Sequence, residues 1–158
     1  MQINPTLRRR GAFSLIELVI VVVIIGIIAA IAIPRLSRGS AGAADSALTA
    51  NLAVLRKSIE LYQAEHGAFP AVDSIADQLT LFSDDTGRTS ATKTSTHIYG
   101  PYIRAIPALP VGAKKGGTDI AAADAAGVGW IYIESTGVIR PNTTDSEVDV
   151  RGVKYNAY

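Results

Sequence analysis

Arg8-Arg9-Arg10-Gly11-Ala12-Phe13-Ser14-Leu15-Ile16-Glu17 leads into an apolar run that continues from Leu18 to Ile33 without a charge and closes on Pro34. A helix from Phe13 to Ile33 would be about 30 Å long at 1.5 Å per residue, enough to cross the hydrocarbon core of a bilayer. The three arginines are expected to stay cytoplasmic, which puts the rest of the chain outside. Glu17 does not belong in an ordinary anchor. An acid at helix depth in lipid costs roughly 2.5–3.5 kcal/mol, somewhat less near the interface, so it calls for a partner.

The aromatic Phe13, the acid Glu17, the mid-run Gly26 and the closing Pro34 occur together at a fixed spacing. That stretch resembles the N-terminus of type IV pilin-like prepilins, the subunits of pili and of type II secretion systems. The resemblance implies that a prepilin peptidase cuts just before Phe13 and methylates the new amine. It also implies that Glu17, Gly26 and Pro34 serve assembly. The family usually has glycine before the cut, whereas Ala12 precedes Phe13 here and Gly11 stands one place earlier. Cutting after Ala12 keeps Glu17 and Pro34 in register, and cutting after Gly11 shifts both by one. Two other readings compete: a secretory signal-peptidase site at Ala30-Ile31-Ala32, and an uncut signal anchor. Neither gives Glu17 a role.

The chain has 158 residues and a formal charge of +1, which bounds it to one modest domain plus its helix. Arg8, Arg9 and Arg10 fall in the leader; removing them leaves 12 Lys+Arg against 14 Asp+Glu, a charge near −2. Nothing in that balance favours nucleic acid. With no cysteine, neither a disulfide framework nor a thiolate metal site is available.

Pro34 lacks an N–H, and Gly39 and Gly42 weaken the next turns, so a kinked or locally melted joint is expected over Pro34–Gly42. From Ala43 the helix should resume. Leu48, Leu52, Leu55, Ile59 and Tyr62 form one amphipathic stripe, with Asp45, Arg56, Lys57, Glu60 and Gln63 away from it. Gly67 and Pro70 end that helix. A short helix is expected over Ile75–Phe82, capped by Ser74 with Asp77 in the capping-box place. Ser83–Thr96 is expected to be an exposed loop, and Tyr99–Pro110 a proline-punctuated segment packed across the domain. Val128–Glu134 and Val138–Arg140 predict a hairpin around Ser135-Thr136-Gly137, with Val148–Val153 as a third strand. The fold class is therefore α+β: a long N-terminal helix backed by a small antiparallel sheet. Its parts are a leader (1–12), a transmembrane or filament-core helix (13–34), an amphipathic helix (35–66) and a periplasmic globular domain (67–158).

Leu61–Pro70, Leu79, Gly100-Pro101-Tyr102-Ile103 and Ile106-Pro107 extend the resemblance to the major pseudopilins (protein G) of type II secretion systems. Those proteins' usual Asp-Pro-Trp-Gly step appears here only as Leu109-Pro110-Val111-Gly112. This resemblance implies a single-pass inner-membrane protein with its C-terminal domain in the periplasm. It would polymerise into a helical filament, alongside minor pseudopilins and on an inner-membrane assembly platform. A type IV pilin of a surface fibre for adhesion, motility or DNA uptake is the second reading, and a membrane-anchored periplasmic binding module the third.

Neither a nucleophile elbow, nor a phosphate loop, nor paired histidines occurs, so the chain is read as non-enzymatic. His66 and His97 are expected to be solvated loop residues. Asp145, Glu147 and Asp149 alternate, so they share one face of a strand or converge in a loop on a hard cation. The pseudopilin resemblance implies calcium near this region, although the Gly-rich aspartate loop that family uses is not visible. The competing reading is a charged edge that blocks strand pairing. Trp130 and Tyr132 are expected in the core.

Overall fold

The computed structural model describes residues 14–158, and for 33–39 the backbone alone. In chain order the elements are α1 (Leu15–His66), α2 (Ile75–Thr80), β1 (Phe82–Ser83), β2 (Thr89–Ser90), β3 (Asp119–Ala121), β4 (Val128–Ile133), β5 (Val138–Pro141) and a 3-10 turn at Tyr155–Ala157. The fold is α+β, as expected. The chain divides into two units, Met1–Gly39 and Ser40–Tyr158.

The helical assignment runs from Leu15 to His66 without a break, so the melted joint expected over Pro34–Gly42 is not seen. A proline removes a single N–H from the ladder, and the rungs on either side keep the helical pattern. Gly67 terminates α1 with φ +73° and donates its N–H to the Gln63 carbonyl at 2.8 Å. Only a residue without a Cβ adopts that left-handed cap cheaply.

In the second unit the predicted stripe is the spine of the core. Leu48, Leu52, Leu55, Ile59 and Tyr62 are all buried, and Trp130, Tyr132, Ile139, Leu109 and Leu79 pack into the same cluster. Each such side chain contributes about 1.5–3 kcal/mol by leaving water. Tyr102, Ile103 and Ile106 pack against it, so the proline-punctuated segment crosses the domain as expected. The indole N–H of Trp130 donates to the Pro107 carbonyl at 2.8 Å, and the Tyr132 hydroxyl to Pro70 at 3.0 Å.

The β4–β5 hairpin forms in the expected place and pairs Tyr132 with Ile139 and Ile133 with Val138. Its third neighbour is not Val148–Val153 but β3, which runs parallel to β4 and pairs Ile120 with Trp130. Val148–Val153 instead folds into a tight turn with a lone bridge between Val148 and Lys154. The reason is Asp149, which points inward and accepts the N–H groups of Arg151 and Val153, both at 2.8 Å. Those donors are then lost to a ladder. Next to β4 two backbones touch: a Cβ on Gly129 would lie 2.1 Å from the carbonyl oxygen of Gly117.

Two smaller expectations are corrected. Ser74 makes no side-chain cap to α2; the Gln78 side chain ties this region instead, to the Ala71 N–H at 2.9 Å and the Gly87 carbonyl at 3.0 Å. The start of Ser83–Thr96 is not an exposed loop. Ser83 pairs with Thr89, and Asp84 is buried, accepting from the Thr86 and Arg88 N–H groups at 2.9 Å.

Candidate functional site

Ser14, Glu17 and the helix they open form the candidate site. α1 begins at Leu15 with Ser14 just outside it. The Ser14 carbonyl accepts from Leu18 N–H at 3.2 Å, and the Glu17 carboxylate reaches back to the Ser14 N–H at 3.4 Å. This is half of a capping box: an acid in the first turn satisfies a donor that the helix leaves over and faces the positive end of its dipole. Ala12, Phe13 and the alternative Gly11 lie outside the described residues.

Apart from Glu17 the helix is apolar over Leu15–Ala32, and none of that window is buried. Its large aliphatic side chains remain exposed, from 43 % at Val19 to 81 % at Leu15. A contiguous apolar surface of this size on a soluble monomer would be highly unusual. Gly26 has nothing within 4 Å of where a Cβ would stand. A glycine in mid-helix costs about 1 kcal/mol relative to alanine, and among the described residues no steric reason offsets that. Pro34 is in the helix, in the segment described by its backbone.

The three carboxylates predicted to converge do not. Asp145 meets the Lys154 ammonium at 2.8 Å and the Asn156 amide at 2.7 Å, and that ammonium holds its carboxyl below the usual range. Glu147 accepts from the N–H groups of Thr144 and Ala113, which lower it in turn. Asp149 is buried and accepts from the Tyr158 hydroxyl at 2.6 Å and the Arg151 guanidinium at 2.9 Å. That hydroxyl, followed by the backbone N–H groups and the guanidinium, holds Asp149 well below the carboxylate range. Among the described residues, no group of three His, Cys, Asp or Glu is arranged to hold a metal.

His66 is not a solvated loop residue. It stacks on Tyr62 with ring centroids 4.0 Å apart, and its ring nitrogens lie 3.1 Å from the Tyr62 carbonyl and 3.0 Å from that of Asp84. His97 lies beside the Thr94 hydroxyl at 3.0 Å in an exposed turn.

The sequence reading missed Asp45. It is buried rather than solvent-facing, taking the Tyr155 hydroxyl at 2.7 Å and the Val150 N–H at 3.1 Å. Arg56 adds bonds to the carbonyls of Tyr158 at 2.7 Å and Ile139 at 3.3 Å. Together with Asp149 these close the tail onto α1 without a disulfide. A second stripe also went unread. Ala43, Ala50, Ala53, Val54, Leu61 and Ala64 are exposed on the face of α1 away from the core, and Lys57 is the charge among them.

Residues 7–33 match the model of the prokaryotic N-terminal methylation motif. The N-terminal segment thus carries the methylation motif of type IV pilin-like prepilins. No curated protein and no solved structure matches the chain.

Proposed function

We propose that this chain is the structural subunit of a pseudopilus that drives type II protein secretion. It is cut after Ala12, N-methylated on Phe13, and polymerised through its N-terminal helix. The inner membrane holds it before assembly, with Ser40–Tyr158 in the periplasm, and it assembles with minor pseudopilins on an inner-membrane platform. The observation that carries this reading is the methylation motif on a helix whose large aliphatic side chains stay exposed. Such a surface suits lipid before assembly and neighbouring helices after it. The outward stripe from Ala43 to Ala64 supports it too, because small residues let helices approach closely.

Glu17 then acts between copies. No lysine or arginine lies between Phe13 and Pro34, so the new amine at Phe13 is the positive group at hand. An incoming copy's amine meets the Glu17 of a copy already in place, which neutralises both and sets the axial register. Mass spectrometry of the mature protein tests the processing: a start at Phe13 is expected, a start at Ala12 moves the cut by one, and a start at Ile33 ends the filament reading. Imaging of cells that overproduce the chain, with a secretion assay on its deletion, separates a pseudopilus from a surface pilus.

A further inference from the structure

Beside the C-terminal end of α1 a cleft of about 210 Å³ opens between Tyr62, Phe69 and the turn that joins β1 to β2. The turn comes this close because Gly87 has no side chain. A Cβ there would lie 2.5 Å from the Tyr62 hydroxyl oxygen and 2.9 Å from Gln78 Nε2. Tyr62 is only 3 % exposed, yet its hydroxyl has no hydrogen-bond partner among the described residues. A buried phenol normally finds one. Among the described residues, the fully enclosed side-chain atom left without a partner is the Thr143 hydroxyl. The Tyr62 hydroxyl therefore reaches open space, and the cleft is the space beside it.

The rest of the lining is short of donors and carries negative charge. The Thr86 hydroxyl gives its hydrogen to Asp84 at 2.7 Å, which leaves it an acceptor. Both nitrogens of His66 are taken up by carbonyls. Asp85 is exposed and has no ion-pair partner among the described residues. Burial, followed by the charge of Asp84, pushes the Tyr62 hydroxyl above the ordinary phenol value, so that oxygen sits in a negative field. Arg88, the base that acts on Asp84, does not line the cleft.

We propose that this cleft binds a guanidinium group, with the Tyr62 and Thr86 hydroxyl oxygens accepting its N–H groups and Asp85 offsetting its charge. A carboxylate or phosphate would face Asp85 and find few donors. A guanidinium is planar, weakly hydrated and rich in donors, and it packs well against aromatic rings such as those of Tyr62, His66 and Phe69. An ammonium holds its water more strongly. The cleft is smaller than a site for a drug-sized molecule, so it suits one side-chain head or a small solute of the same chemistry.

The test is a titration of the full, nitrogen-15-labelled chain in detergent micelles, read at the Gly87 amide and the Gln78 side-chain amide by NMR. The probes are ethylguanidinium, a capped Ala-Arg-Ala peptide and, as control, propylammonium. Saturable shifts at both amides are expected with the first two. Asp85→Asn, an exposed change that leaves the core untouched, is expected to weaken binding about threefold, and Tyr62→Phe about fivefold. Tighter binding of the peptide than of ethylguanidinium assigns the group to an arginine on a protein chain, and equal binding assigns it to a free solute; both support the site. Absence of a saturable shift with either guanidinium probe overturns the proposal. Propylammonium that binds as tightly overturns the choice of guanidinium, and an Asp85→Asn protein that binds like wild type overturns the location.

Discussion

From Leu15 to Ile31 the helix carries aliphatic side chains on every face, and the large ones leave 43 % or more of themselves exposed. From Leu48 to Tyr62 it carries them in a single buried stripe, each at 3 % or less. The second segment finds its partners, Trp130 and Tyr132 among them, within the chain. The first finds none among the described residues. One continuous helix thus contains a region completed by its own fold and a region that only a bilayer or another helix can complete. Two glycines show the same division. Gly129 is fixed by the backbone of Gly117 lying against it, whereas Gly26 has open space around it among the described residues.

Those glycines give the largest expected contrast. Gly129→Ala drives a methyl into a backbone carbonyl, and a loss of about 4 kcal/mol or more is expected, enough to unfold the second unit. Gly26→Ala is expected to stabilise the isolated helix by about 1 kcal/mol and yet to weaken assembly. Circular dichroism in detergent and filament yield read the two effects separately. A stable Gly129→Ala protein would mean that the two backbones are free to part.

Assembly comes next. Glu17→Leu is expected to be inserted and cut normally but to be excluded from filaments when it competes with wild type, and Glu17→Asp to be intermediate because its reach is shorter. Equal incorporation would reduce Glu17 to its bond with Ser14. In the buried half, Leu52→Ala is expected to cost about 3 kcal/mol of unfolding free energy, whereas Ile24→Ala leaves the denaturation midpoint of the second unit unchanged. A shift with Ile24→Ala would show that the two halves are coupled in folding.

A subtler effect is acid sensitivity. Asp149 is held below the usual carboxylate range. A carboxylate whose folded value lies below its unfolded one adds stability above the ordinary range and loses it as the pH falls through the folded value. The melting temperature should therefore drop on acidification, and Asp149→Asn should flatten that drop. Calcium is expected to do least. The carboxylates of Asp145, Glu147 and Asp149 already accept from ammonium, hydroxyl or N–H donors, so millimolar calcium should move the melting temperature by less than about 1 °C. A rise of several degrees would instead place the ion among these three after they rearrange.

The sequence alone determined whatever depends on spacing along one helix or across one turn. An uncharged run with a single acid marks the exposed helix, because a membrane or a filament core selects for composition. The positions of Leu48, Leu52, Leu55, Ile59 and Tyr62 determine the buried stripe, because 3.6 residues per turn bring them onto one face. β-Branched and aromatic residues on either side of Gly137 determine the hairpin. Tertiary structure alone decided Asp45, whose partners Val150 and Tyr155 are more than a hundred residues away, and β3, a three-residue strand too short to show an alternating pattern. It also decided the carboxylates. The alternation of Asp145, Glu147 and Asp149 put them on one face of a notional strand, but each turned to a different donor: Lys154, Ala113 or Tyr158. Local periodicity records which face a side chain takes. It holds no record of which distant donor will be waiting there, and for a carboxylate leaving water that donor determines where it goes.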